Sequence, residues 1–255
     1  MNALILYFSG TGNTKYVAAN FQNALIRRGI TVQMHSIEEN FDLSSFAYNL
    51  LLIGFPKYYE YPVLSMLDYL RCKLPVRETA IPVMAFCTQA GGLPTDFTGL
   101  EKLLKRKNHR LIISKSFPFA NNMMIFRMFP PTEPQTIEIN KTNIIAQIDP
   151  LLDQFLDNSA SMEGIKAWQK PMEYLVAVAC TRWMPVLGMK YTTSEECIRC
   201  GLCIKRCPKQ NIRMGQNRPV FGKQCIFCMR CINDCPTNAI LYNKKKLPQY
   251  KCKET

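Results

Sequence analysis

Eight cysteines in two matched runs limit what this chain can fold around. Cys197-x2-Cys200-x2-Cys203-x3-Cys207-Pro208 returns 28 residues later as Cys225-x2-Cys228-x2-Cys231-x3-Cys235-Pro236. Three cysteines spaced by two wrap three irons of one cubane, and the fourth, after a wider gap and before a proline, points away to a neighbouring cluster. The spacing therefore predicts two [4Fe–4S] clusters. Cys197, Cys200, Cys203 and Cys235 hold the first, and Cys207, Cys225, Cys228 and Cys231 hold the second. Structural zinc sites usually join two ligand pairs across a long loop, which two equal runs fit poorly. The residue after the second cysteine differs between the runs: Gly201 in the first, Met229 in the second. If the glycine relieves crowding beside its cluster, the second site has to accommodate a side chain. The other four cysteines, Cys72, Cys87, Cys180 and Cys252, are scattered, and no disulfide framework is expected.

The chain has 255 residues, 47% apolar and 20% charged, enough for two compact cores. Its net charge of +13 is uneven. Residues 1–158 carry fifteen basic against thirteen acidic side chains, and residues 159–255 carry seventeen against six. Each cluster on four thiolates carries a charge of about −2, which still leaves the C-terminal part near +7. Arg199, Lys205, Arg206, Lys223 and Arg230 stand among the ligands. They predict docking of an acidic redox protein, with association speeded by long-range attraction. A basic module binding nucleic acid or acidic protein is the reading of another class. It lacks aromatic–basic interleaving or a binding motif, so no nucleic acid is expected. Leu175–Met189 is apolar but broken by Arg182 and Pro185, and it falls short of the ~20 residues of a membrane span. Met1–Gly10 has no basic leader and no small-residue cleavage site, so it reads as a buried strand. The expectation is a soluble cytoplasmic protein, with a homodimer left open.

Before the cysteines, strand-like and helix-like segments alternate. Ala3–Phe8 is a continuous apolar run, Asn13–Arg28 has helical spacing and Thr31–Ser36 is a second strand. Asn49–Phe55, Ala80–Cys87 and Leu111–Phe117 complete five strands, with helices over Pro62–Leu70, Thr95–Lys107 and Asn143–Leu156. This order predicts an α/β fold, a doubly wound five-stranded parallel sheet. Ligands of such sheets bind outside the C-terminal strand ends, which marks the loops 9–14, 55–61 and 87–93. The reading divides the chain into residues 1–158, a linker with a helix at 159–190, a cluster domain at 191–243 and a basic tail at 244–255. The Met- and Phe-rich stretch 117–134 reads as a long loop packed on the core, or else as a lid or a docking surface for the second domain.

Phe8-Ser9-Gly10-Thr11-Gly12-Asn13-Thr14 joins the first strand to the first helix. A phosphate there accepts hydrogen bonds from backbone N–H groups and hydroxyls, with the helix N-terminus adding its dipole. A dinucleotide fingerprint would need a third glycine where Lys15 stands, and a P-loop would need a Gly-Lys-Ser/Thr ending that is absent. The order strand, SGTGNT, helix resembles the FMN-phosphate loop of flavodoxins. That resemblance implies that Ser9, Gly10, Thr11, Gly12, Asn13 and Thr14 bind the phosphate of FMN. It also implies that two further loops hold the isoalloxazine ring: Phe55, Pro56, Lys57, Tyr58 and Tyr59, and Thr88, Gln89, Ala90, Gly91 and Gly92. Tyr58 or Tyr59 would stack on the ring, and the 89–92 turn would reach its pyrimidine edge. Cys87 reads as a packed strand residue.

From Met1 to about Tyr242 the chain resembles the fused flavodoxin–ferredoxin family of anaerobic bacteria and archaea. Phe119-Ala120-Asn121-Asn122-Met123 is similar to a segment that this family carries near its flavin. The resemblance implies a flavodoxin-like domain followed by a small ferredoxin-like α+β domain with two [4Fe–4S] clusters. It also implies an electron-transfer flavoprotein passing electrons between FMN and the clusters to an unidentified partner. The alternative is an FMN-dependent reductase of a small substrate fed by the clusters. No catalytic residue stands out, since His35 and His109 are the only histidines and both read as structural or surface residues.

Overall fold

The computed structural model describes residues 1–58, 61–91, 94–125, 130–250 and 252. Tyr59 and Gly92 lie outside the described residues, as does part of the 117–134 stretch. The first part runs β1 (Asn2–Tyr7), α1 (Asn13–Arg27), β2 (Thr31–Ser36), β3 (Leu50–Tyr58), β4 (Tyr61–Pro62), α2 (Leu64–Lys73) and β5 (Ile81–Gln89). It continues with α3 (Thr98–Lys105), β6 (His109–Pro118), α4 (Pro134–Leu156) and β7 (Ser161–Met162). The five long strands are all parallel and lie in the order β2-β1-β3-β5-β6. Counted among themselves this is 2-1-3-4-5, the flavodoxin-like doubly wound order.

Successive strand side chains point to opposite faces, and both faces are covered. Ala3, Ile5 and Tyr7 pack with Phe21 and Leu25 of α1 and with Leu152 and Phe155 of α4. Leu4, Leu6 and Phe8 pack on the other face with Met66 and Leu67 of α2 and Leu100 and Leu104 of α3. Burial on both faces explains why β1 and β3 are unbroken apolar runs.

Two short strands extend the expected five. β4 pairs antiparallel with β3, and β7 adds to β6 beyond residue 158, where the linker was expected to begin. Glu163 fixes that edge: its carboxylate accepts from the Ser116 N–H at 2.7 Å and from Lys115 Nζ at 2.5 Å. Helix α4 begins at Pro134 rather than Asn143. Its first buried side chain is Ile144, so the earlier turns carry no apolar stripe for periodicity to detect.

Helix α5 (Lys170–Trp183) and a 3₁₀ segment (Met184–Lys190) lead to the cysteine-rich part. That part comprises β8 (Tyr191–Thr193), α6 (Leu202–Lys205), β9 (Ile212–Met214), β10 (Pro219–Phe221), α7 (Arg230–Asn233), β11 (Ile240–Tyr242) and β12 (Lys245–Lys246). β9 and β10 form one antiparallel pair, and β11 lies between β8 and β12. The buried core is small, built on Tyr191, Ile212, Phe221, Phe227, Met229, Ile232, Ile240 and Tyr242, with Cys203, Cys207, Cys225, Cys231 and Cys235 packed against it. A core of this size gains from being stapled.

The stretch read as a basic tail folds back. β12 pairs with β11, the Tyr250 hydroxyl donates to Asn13 Oδ1 at 2.7 Å, and the Cys252 N–H donates to the Thr11 carbonyl at 2.9 Å. Asn13 and Thr11 lie more than 230 residues upstream, beyond the reach of local sequence signals.

Candidate functional site

A cavity of about 570 Å³ opens at the C-terminal ends of β1, β3 and β5. Ser9, Gly10, Thr11, Asn13 and Thr14 form one wall, Pro56, Lys57 and Tyr58 a second, and Thr88, Gln89, Ala90 and Gly91 a third. Asn121, Asn122, Met123 and Thr132 close one side, and Val176 and Cys180 of α5 with Met184 close another.

The first wall is shaped for an anion. Gly12 caps α1 at φ 104°, without a side-chain cap bond and with no acid in the helix's first turn. The first N–H groups of a helix have no intrahelical partner. Here Tyr16 is the first to bond back, to the Gly12 carbonyl at 2.8 Å. Side-chain bonds tie the walls together. Thr14 Oγ1 lies 2.8 Å from Thr88 Oγ1, Asn13 donates to the Ala120 carbonyl at 3.0 Å, and Asn122 donates to Thr11 Oγ1 at 2.6 Å.

Each cysteine set surrounds its own small cavity. Cys197, Cys200, Cys203 and Cys235 line one, and Cys207, Cys225, Cys228 and Cys231 line the other. Among the described residues no three of His, Cys, Asp or Glu gather closely enough to hold a single metal ion. Each cavity is lined by three cysteines of one run and the fourth of the other. Backbone N–H groups point at the sulfurs, Asn211 to Cys207 at 3.3 Å, Phe227 to Cys225 at 3.4 Å and Ala239 to Cys235 at 3.3 Å. Such bonds are one means by which a protein sets a cluster's potential. Burial pushes the Cys203 thiol up to about 11, Cys225 to about 12 and Cys228 to about 11, with Cys231 also well raised. As free thiols these would stay protonated at neutral pH, so metal uptake must release their protons.

Residues 196–240 match the 4Fe-4S dicluster domain family. This agrees with the cysteine spacing on [4Fe–4S] chemistry for the C-terminal part. No curated protein sequence matches the chain. Solved structures align with the N-terminal part. An archaeal flavodoxin is 14% identical, over 60% of this chain and 99% of that one, with a TM-score of 0.38. Two-electron reduced Megasphaera elsdenii flavodoxin is 18% identical, over 57% and 98%, at 0.40. A mutant of Pseudomonas aeruginosa flavodoxin is 15% identical, over 61% and 99%, at 0.42. The flavodoxin-like fold rests on the strand order itself. No helix among the described residues is long and apolar enough to cross a membrane.

The second cysteine set adjoins the wall formed by Ser9, Gly10, Thr11, Asn13 and Thr14. A Cβ added to Gly10 would stand 2.5 Å from the Cys228 carbonyl oxygen and 2.8 Å from the Tyr58 hydroxyl. Glycine at position 10 is therefore required by the neighbouring domain. Arg230, the residue before Cys231, clamps the same junction. It donates to both Glu38 oxygens, at 2.7 and 2.6 Å, and to the Ser9 carbonyl at 2.7 Å. Burial opposes its charge, and the Glu38 carboxylate outweighs that, holding the guanidinium charged. Arg206 is likewise paired, with Asp234 at 2.9 Å. Of the five basic residues among the ligands, Arg206 and Arg230 are thus paired within the chain, Arg206 from an exposed position, and Arg199, Lys205 and Lys223 are exposed.

Most of the residues marked by sequence meet in the cavity, and two described ones do not. Phe55 is fully buried against Phe97, because its side chain falls on the core face of β3. Gly12 lies behind the cavity, where a Cβ would stand 3.0 Å from Cys252 Cβ. Cys87 is a buried strand residue that accepts from Thr95 Oγ1 at 3.2 Å. His109 is buried and bonded to the Lys107 carbonyl and Tyr48, and His35 stacks on Phe41. Sequence reasoning missed Arg230 as the clamp, Glu38, Tyr250 and the α5 wall. Only the i, i+4, i+8 spacing of Val176, Cys180 and Met184 could have hinted at a shared face.

A Cβ at Gly201 would meet no protein atom within 4 Å, and Gly201 lines the small cavity of the first cysteine set, so any crowding there would come from a bound cluster. Gly201 has φ 71° and Met229 has φ 60°, each capping the short helix that follows, α6 and α7 respectively. The position needs a left-handed backbone, which glycine adopts freely.

Proposed function

We propose that this chain is an electron-transfer iron–sulfur flavoprotein, with FMN in the 570 Å³ cavity and two [4Fe–4S] clusters on the eight cysteines. Bound FMN would exchange one or two electrons and each cubane one, so together they would split a two-electron event into single steps. Ser9, Thr11, Asn13 and Thr14 with the α1 N-terminus would hold the phosphate, and Tyr58 with the Gln89–Gly91 backbone would flank the ring. The Met123, Val176 and Met184 side chains limit water over that space.

One observation carries this reading: Gly10 of the anion-binding loop lies against Cys228, with room for no side chain between them. It supports an order of sites in which the Cys207, Cys225, Cys228 and Cys231 set is next to the cavity. The Cys197, Cys200, Cys203 and Cys235 set then faces outward. Exposed Arg199 and Lys205 beside the outer set would meet an acidic redox partner.

Anaerobic purification and redox titration with visible and EPR spectroscopy test it. About eight irons and about one flavin per chain are expected, with flavin and iron–sulfur signals both reducible. A reconstituted chain that binds zinc in place of iron and sulfide, or that takes up no FMN, would overturn it.

A further inference from the structure

Helix α5 presents apolar side chains in two directions. Val176, Cys180 and Met184 turn into the cavity, and Ala177 is the helix's one buried residue. Leu175 and Val178 stand on the other side and are exposed, and Met172, one turn before Val176 on its own row, is exposed as well. Of the nineteen exposed large apolar side chains among the described residues, nine lie between Trp168 and Met189. Both tryptophans of the chain are in this segment, one before the helix and one at its end, 73% and 71% exposed. Monomeric soluble proteins rarely leave such a patch open to water without a use for it.

The surroundings of the patch are basic. Lys166, Arg182 and Lys190 are exposed along the segment. Arg182 also shares the wall of a neighbouring cavity with Lys209 and Lys223, both exposed. A second copy seated on α5 would bring Arg182 and its basic neighbours against their own equivalents. An anionic surface complements them. Tryptophan and tyrosine rings prefer the boundary between headgroups and acyl chains, and Tyr174 joins the two tryptophans on the exposed side. Apolar side chains, flanking aromatics and a basic rim on one short surface helix are the attributes of an in-plane membrane-surface element. At 14 residues α5 lies on a bilayer rather than crossing it.

We propose that α5 and the segment around it dock this protein on an anionic lipid surface. Trp168, Leu175, Val178 and Trp183 enter the headgroup boundary, and Arg182, Lys209 and Lys223 meet the lipid charge. The docked helix is also the cavity's roof, so the cavity mouth lies beside the bilayer.

The test is co-sedimentation of the full holo chain with vesicles of phosphatidylcholine alone and of phosphatidylcholine with about 30% phosphatidylserine. Binding about tenfold or more stronger to the second, weakening with salt, is expected. Brominated lipid should quench the emission of the two tryptophans in the bound protein. Leu175→Glu with Val178→Glu, at exposed positions, should abolish sedimentation while the visible spectrum is unchanged. Arg182→Gln with Lys223→Gln should reduce the preference for phosphatidylserine. No binding to the anionic vesicles at low salt, unquenched tryptophans or full binding by the Glu variant would overturn the proposal. So would a concentration-dependent dimer that the Glu variant dissolves. None of these readouts depends on electron transfer, so the lipid proposal and the redox reading can fail separately.

Discussion

The first cysteine run faces outward and the second is wedged between two domains, although their spacing is identical. Cys200 is exposed, whereas Cys228 is buried and packs with Phe8 and Tyr58 in a core cluster of the sheet domain. Burial raises Cys225, Cys228 and Cys231 in the second run and Cys203 in the first. Ligand spacing fixes what a run can bind. The surroundings fix what the bound group can reach, and those come from contacts far away in the sequence.

The largest expected effect separates the two runs directly. Cys200→Ser and Cys228→Ser each remove one ligand, and each should lower iron from about eight to about four per chain. In the redox reading only Cys228→Ser should also weaken FMN retention, because Cys228 rests on Gly10 of the loop proposed for the phosphate. Iron analysis with fluorescence titration of released flavin checks both. Equal flavin loss in the two variants would erase the distinction between inner and outer cluster.

Next in size is the clamp. Arg230→Gln leaves Glu38 without its partner and the Ser9 carbonyl without a charged donor. Breaking a fully buried pair costs ~3–5 kcal/mol, and Glu38 keeps some water contact, so about 2–4 kcal/mol of stability should be lost. In the redox reading this variant should also slow electron transfer between flavin and clusters with iron content unchanged. Denaturant unfolding and stopped-flow reduction measure the two effects. A rate equal to that of the parent would mean that the clamp is structural only.

How much of this was legible depends on the reach of each signal. The five parallel strands announced themselves because both faces of the sheet are buried, which makes β1 and β3 continuous apolar runs. The cysteine sets were legible because chelate geometry writes itself into spacing, and the two cavities divide the eight sulfurs as the spacing does. The cavity's third side was not. α5 supplies it through Val176, Cys180 and Met184, apolar residues in a helix whose outer face is also apolar, so periodicity had no contrast to find. Arg230 was hidden for another reason: a basic residue beside a cluster ligand reads as surface charge until Glu38, 192 residues away, is brought against it. The folded-back tail, fastened by Tyr250 to Asn13, was hidden in the same way.

The smallest expected effect concerns the residue after the second cysteine of each run. Gly201 and Met229 share a left-handed backbone, yet a Cβ at Gly201 would meet no protein atom within 4 Å while Met229 is buried under Tyr191. If backbone conformation selects the glycine, Gly201→Ala should cost about 1–2 kcal/mol, since the left-handed region penalises a Cβ by that amount. Gly201→Asn should cost less than the alanine change, because asparagine tolerates this region although it is the larger side chain. Crowding beside the cluster predicts the reverse order, with asparagine the worse of the two. Thermal unfolding of both variants with clusters intact separates the explanations. The expected order, parent most stable, then asparagine, then alanine, would assign the glycine to the chain's own geometry and leave the methionine of the second run as the strained member of the pair.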